Sequence, residues 1–180
     1  MIHLTCSCLG ILIIYYELTN ISFRIFFQYS GWFLFFTTFL HILQIIFLLP
    51  SFLAYVCSVI GIVIILPASV PSLMSLNNTF ASYLLYDFGA HVALPLCTVF
   101  HLNNTSYTNI SSSIIFLIAY NTIWAVVVEL LSVTKPYDIL NDLVLEHRLL
   151  SYIIVTIIGI TGLMILSILP CISSQKNIRI

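Results

Sequence analysis

Residues 31–49 read GWFLFFTTFLHILQIIFLL and are followed by Pro50. This stretch carries no Asp, Glu, Lys or Arg. A helix needs about 20 predominantly apolar residues to cross the hydrocarbon core of a bilayer, and the stretch has that length. We therefore predict that it forms a transmembrane helix around which the rest of the chain is organised.

The composition of the whole chain agrees with a membrane location. Hydrophobic residues make up 61% of the 180 positions and charged residues only 6%, whereas a soluble domain carries about 25% charged residues. An apolar outer face suits lipid rather than water. The formal net charge of −1 argues against nucleic-acid binding. Membrane lipids are therefore the expected surroundings, and no nucleic-acid partner is expected.

Five further apolar runs are candidates for spans. They cover residues 4–16, 52–66, 80–102, 114–133 and 149–169. The run at 4–16 is short and is followed by a predicted loop at 17–24, and the run at 52–66 could continue, kinked, past Pro67 and Pro71 to Leu76. The last is expected to end at Pro170. The predicted fold class is all-α, a polytopic transmembrane helix bundle of about six spans that forms a single domain.

The charged residues cluster at 135–148, before the last run, where the sequence reads KPYDILNDLVLEHR. Apolar residues recur there at helical spacing, which predicts a short helix lying at the membrane interface. These are Ile139, Leu140, Leu143 and Val144. His147, between Glu146 and Arg148, is interpreted as part of a solvated charge cluster.

The sequence indicates neither a metal site nor an organic cofactor. The five cysteines form no CxxC or Cys/His pattern of the zinc-binding type and lie mostly in apolar runs. We interpret them as small hydrophobic residues. The histidines other than His91 are interpreted as scattered.

Polar residues at membrane depth are costly to bury and are candidates for function. Within the predicted spans they are Thr37, Thr38, His41, Gln44, Asp87, His91, Asn121, Thr122 and Glu129. Thr37, His41 and Gln44 are spaced i, i+4 and i+7, which places them on one face of an α-helix. Asp87 and His91 are four residues apart, so the carboxylate could orient the imidazole.

The predicted spans at 31–49 and 80–102 enter the membrane from the same side. Thr37 and His91 then lie on the order of 10–15 Å below the same surface, at 1.5 Å per residue. A histidine within hydrogen-bond reach can remove the proton from a threonine hydroxyl and make it a nucleophile. The alternative is that Thr37 and Thr38 donate to carbonyls of their own helix, with His91 forming an interhelical hydrogen bond.

Three segments resemble the androgen-induced gene (AIG/FAR-17a) family of multi-pass membrane hydrolases. The residues 29–37, YSGWFLFFT, with Gln44 seven positions later, are similar to that family's Trp-led aromatic stretch and catalytic Thr. The residues 90–95, AHVALP, are similar to its second signature, in which the catalytic His precedes an apolar run ending in Pro. Residues 120–124 and 135–137 are similar to its fifth helix and the following loop.

The resemblance implies a hydrolase that cleaves fatty acid esters of hydroxy fatty acids (FAHFAs). Thr37 would be the nucleophile and His91 the base, with Asp87, Gln44 and Asn121 in support. Asp87 would hold the imidazole tautomer, and Asn121 or Gln44 could donate to the oxyanion. The expected location is the endoplasmic reticulum membrane, with the plasma membrane or another membrane as the alternative. The competing hypothesis is a non-catalytic subunit of a larger membrane complex, whose buried polar groups bond to partner helices.

Overall fold

The computed structural model describes residues 2–20, 26–46, 53, 56–57, 59–65, 83–94, 96, 110–132 and 138–174. The regular structure of these residues is helical, and they contain no strand, which confirms the all-α class. The α-helices are α1 (Ile2–Asn20), α2 (Tyr29–Ile46), α3 (Ile110–Leu131), α4 (Asp138–Asn141) and α5 (Leu145–Ser174). Two π-helices, π1 (Ile60–Ile65) and π2 (Tyr83–Ala93), lie between α2 and α3.

Three of the helices in this described part are long and apolar enough to cross a membrane. They are α2, α3 and the Leu145–Ile165 portion of α5. Many of their exposed side chains are large and apolar, as the composition predicts; Leu130 is 76% exposed and Ile115 67% exposed. This is the architecture of an integral membrane protein.

Several predicted boundaries are wrong. The predicted loop at 17–24 is helical through Asn20, and Glu17 is buried in α1 with 2% exposure. The predicted stop at Pro170 does not occur, because α5 continues to Ser174. Neighbouring groups can satisfy the carbonyl that a proline leaves unbonded in a membrane helix.

The predicted interfacial helix is shorter than the pattern suggested. Of the residues described between 138 and 144, Asp138–Asn141 forms a helix, and α5 begins at Leu145 rather than at the predicted 149. Leu140 is buried with 6% exposure, so the side of α4 that carries Leu140 faces the protein. Arg148 consequently belongs to the first turn of α5.

Neighbouring helices run antiparallel. In the α1–α2 pair, His3 lies beside His41 while Gly10 lies against Thr38. An added Cβ at Gly10 would lie 2.9 Å from the Thr38 Cβ, so the two helices approach as closely as only glycine permits. The helices α5 and π1 also approach closely at a glycine, with Gly162 against Val63.

An aromatic ladder fixes α2 against α3, also antiparallel. The Tyr29 ring lies 5.0 Å from that of Trp124, the Trp32 ring 6.0 Å from Tyr120, and the Phe36 ring 5.3 Å from Phe116. The first two contacts are edge-on and the third is stacked, and the ring quadrupole favours edge-on and offset-stacked pairs. As the contacts proceed from Tyr29 to Phe36 along α2, they proceed from Trp124 to Phe116 along α3.

Candidate functional site

Thr37 lies on the inward face of α2 and is fully buried. Its hydroxyl donates to the Phe33 carbonyl oxygen at 2.6 Å and lies 3.3 Å from the Leu34 carbonyl oxygen. This is the bond to its own helix that the alternative interpretation expected. Threonine in a helix has a second accessible χ1 rotamer, so the hydroxyl can leave this bond by rotating about Cα–Cβ.

His91 is half-buried on π2, and π2 contacts both α1 and α2. Thr37 and His91 therefore lie on neighbouring elements. Asp87 and His91 both belong to π2. Hydrogen bonding from i to i+5 gives a π-helix slightly more than four residues per turn, so positions 87 and 91 remain about one turn apart, as the sequence predicted. The Asp87 side chain lies outside the described part of the chain.

His41 follows Thr37 by one turn and is buried at 1% exposure. Its Nδ1 lies 3.1 Å from the Nδ1 of His3 on α1, and the ring centroids are 5.4 Å apart. One ring must donate and the other accept, so the two take complementary protonation states on these atoms. The interpretation of the remaining histidines as scattered is wrong for this pair.

Gln44 is half-buried, one turn beyond His41 on the same side of α2. Thr38, the neighbour of Thr37, is 3% exposed and packs on Gly10 of α1. The inward face of α2 thus carries a hydroxyl, an imidazole and an amide in a continuous row. The row agrees with the helical spacing read from the sequence.

Asn121 has a different environment from the one predicted. Its Oδ1 accepts a hydrogen bond from the Tyr29 hydroxyl at 2.6 Å, and its Nδ2 donates to Thr156 Oγ1 at 3.0 Å. It therefore joins α2, α3 and α5. With one amide hydrogen given to Thr156, Asn121 acts as a structural link between three helices.

Glu129 and Arg148 form an ion pair that we did not predict from the sequence. Arg148 donates through Nε to Glu129 Oε1 at 2.9 Å and through Nη2 to Oε2 at 3.0 Å. The Tyr152 hydroxyl donates to the same Oε1 at 2.7 Å. This bidentate pair joins the end of α3 to the start of α5. Arg148 is therefore not part of a solvated cluster with His147.

A signal for this pair was present in the sequence. Glu129 and Arg148 are equidistant from the middle of the α3–α5 connection, as are Asn121 and Thr156. In a hairpin of two antiparallel helices such residues face one another at the same depth. A carboxylate and a guanidinium in these positions are natural partners.

Comparison with protein-family models, with curated proteins and with solved structures finds no match to this chain.

Proposed function

We propose that this chain is a membrane-embedded hydrolase of lipid esters, with Thr37 as the nucleophile and His91 as the general base. The proposed substrates are fatty acid esters of hydroxy fatty acids, and the proposed location is the endoplasmic reticulum membrane. The proposed topology is six spans. What supports the proposal is the full burial of Thr37 on α2, a helix that contacts the π-helix bearing His91.

The reaction has two steps. Thr37 Oγ1 attacks the ester carbonyl carbon while His91 accepts the hydroxyl proton; the C–O bond to the alcohol then breaks, and His91 protonates the departing oxygen. The result is an acyl-threonine. A water molecule next attacks the acyl carbon and gives a proton to His91. Threonine leaves, recovers that proton and the fatty acid is released.

The enclosed position of Thr37 fits this chemistry. A water-excluded site strengthens every electrostatic interaction with the developing oxyanion. Aromatic side chains on α2 near Thr37, including half-buried Phe36, offer an apolar wall for acyl chains. Esters of this class partition into the bilayer, so a site within the helices meets them at high local concentration.

A test in membranes uses Thr37→Ala, Thr37→Ser and His91→Ala with a FAHFA substrate and a fluorophosphonate probe. Thr37→Ala and His91→Ala are expected to lose about 10²–10⁴-fold in turnover, whereas Thr37→Ser, which keeps a hydroxyl, retains part of it. Thr161→Ala is the matched control. Thr161 is exposed on α5 and makes the same bond to its own helix, 2.9 Å to the Ile157 carbonyl oxygen.

The base assignment has its own test. Residues i and i+4 are neighbours on a helix surface, so His41 is the second imidazole near Thr37. If His41→Ala abolished turnover and His91→Ala did not, the assignment of His91 would be wrong. If wild type were neither labelled nor active, or Thr37→Ala kept full activity, the hydrolase proposal would fail.

The second candidate function is a non-catalytic subunit of a membrane complex. It is favoured by the Thr37 hydroxyl bond to Phe33, which is ordinary for threonine in a membrane helix. It predicts that Thr37→Ala changes stability or complex assembly and leaves no enzymatic deficit. Blue-native electrophoresis of the tagged chain in mild detergent would then show a heteromeric assembly.

A further inference from the structure

A groove with a volume of about 640 Å³ runs along the outer surface of the helical hairpin formed by α3 and α5. Its walls are mostly exposed apolar side chains, among them Val126 on α3 and Ile153 on α5. Polar groups lie on its floor, at Asn121, Glu129 and Thr156. This is a concave apolar site with a few placed polar atoms, in the size range of ligand pockets.

The groove has the length of one membrane leaflet. It extends from Ile118 to Leu130 along α3 and from Leu145 to Ile157 along α5, about 18 Å in each case at 1.5 Å per residue. The hydrocarbon core of a bilayer is about 30 Å thick, so the groove covers little more than half of it. An acyl chain of one leaflet covers a similar part of this thickness.

The Glu129–Arg148 pair adjoins one end of the groove: Glu129 lines it, and Arg148, which does not line it, is bonded to Glu129. Glu129 and its hydrogen-bond partner Tyr152 line the groove where α3 ends and α5 begins. Arg148 has five N–H groups. It gives two to Glu129 and one to the Leu143 carbonyl oxygen. Two N–H groups remain, one on each terminal nitrogen, on a side chain with 17% of its surface accessible.

A guanidinium with two remaining donors at the membrane surface favours an anionic oxygen ligand, and phosphate suits its planar geometry. We propose that this groove binds a membrane phospholipid, which lays one acyl chain between α3 and α5 and directs its phosphate to Arg148. The site is separate from Thr37, and the proposal does not depend on hydrolase activity.

The test uses the full chain in nanodiscs with a phosphatidylglycerol that carries a diazirine in one acyl chain. A diacylglycerol with the same labelled chain serves as the headgroup-free comparison. After photolysis, adducts mapped by mass spectrometry are expected on the groove-lining residues of the ranges 118–130 and 145–157, and not on Ala119. Phosphatidylglycerol is expected to label them at least about threefold more than diacylglycerol, because only the former offers an anion to Arg148.

Two variants separate the acyl-chain contact from the headgroup contact. Ala125→Trp fills the groove and is expected to lower labelling by both lipids at least about threefold, whereas Ala119→Trp, an exposed position of α3 outside the groove, leaves it unchanged. The double variant Glu129→Gln with Arg148→Gln removes both charges together. It is expected to abolish only the preference for phosphatidylglycerol.

Three outcomes would overturn the proposal. Adducts spread evenly over α3, including the Ala119 face, would mean ordinary annular lipid. Equal labelling by the two lipids in wild type would exclude recognition of the phosphate. Cross-links between the α3–α5 surfaces of two copies, at the expense of lipid adducts, would assign the groove to a second copy of the chain.

Discussion

Asn121 shows how one side chain can join three helices in lipid. Its amide oxygen and nitrogen bond to Tyr29 on α2 and Thr156 on α5, and Thr156 in turn donates to the Tyr152 carbonyl oxygen at 2.9 Å. A buried amide has no water to bond with at this depth, so its partners must come from neighbouring helices. The chain thereby satisfies with its own side chains a polar group that a partner subunit would otherwise have to satisfy.

The variant Asn121→Leu is expected to lower the free energy of unfolding by about 1–2 kcal/mol, because it removes two interhelical bonds and leaves the Tyr29 hydroxyl without its acceptor. Unfolding in mixed micelles measures this loss. Thr122→Val, at the adjacent exposed position, is the control and should change stability little. Equal effects of the two variants would contradict the structural role of Asn121.

At the scale of helices, close packing of α1 on α2 determines what lies near Thr37. Gly10 lets the α1 backbone approach the Thr38 side chain, and the His3–His41 contact closes the other end of the same interface. Helix association in lipid depends on such van der Waals contacts and interhelical bonds, since lipid tails are as apolar as the side chains. A residue with a Cβ at position 10 must push the helices apart.

Gly10→Val is therefore expected to destabilise the protein by about 1–3 kcal/mol through overpacking. Thermal unfolding of the purified protein in detergent would show a lower midpoint. Cys8→Leu, on the exposed side of α1, also enlarges a side chain, but where space is open, and should leave the midpoint near that of wild type. If both variants melted alike, the close α1–α2 approach would be refuted.

The two π-helices are a second feature at the scale of helices. Continuous π-helix is rare and usually appears as single-turn bulges, often at functional sites. Here π2 carries His91 and contacts both α1 and α2. A π-helix turn contains slightly more than four residues, so the alignment of Asp87 with His91 stays a prediction.

At the scale of the molecule, α3 runs antiparallel to both α2 and α5 in the part of the chain that the structure describes. The N-terminal ends of α2 and α5 and the C-terminal end of α3 lie together, as the Trp124 Nε1 bond to the Phe27 carbonyl oxygen at 2.9 Å and the Trp124–Tyr152 ring contact at 5.4 Å require. This arrangement follows if successive helices cross a membrane in opposite directions. It places the Glu129–Arg148 pair and Tyr29 towards one membrane surface.

Cysteine accessibility can test this arrangement in sealed vesicles. In a background without native cysteines, Gln28→Cys and Glu146→Cys are expected to react with a membrane-impermeant maleimide from the same side. Ser174→Cys, at the far end of α5, is expected to react only from the other side. Labelling of all three positions from one side in intact vesicles would show that α5 does not cross the bilayer.

The sequence alone determined the class of this protein and much of one candidate site. Hydropathy is a property of each segment by itself, so α2, α3 and α5 could be recognised as apolar helices before any contact was known. The i, i+4 spacing likewise predicted that Thr37 and His41 share a face, and both are buried. Helix ends were less predictable, because flanking residues such as Glu17 could be accommodated by neighbours.

Only the tertiary structure decided which side chains meet. The hydrophobic run at 31–49 predicts a transmembrane helix. It says nothing about the rotation or register of one helix against another. In lipid these are set by close packing, as at Gly10, and by hydrogen bonds between helices. Those contacts brought His3 to His41 and Arg148 to Glu129, and they formed the groove between α3 and α5.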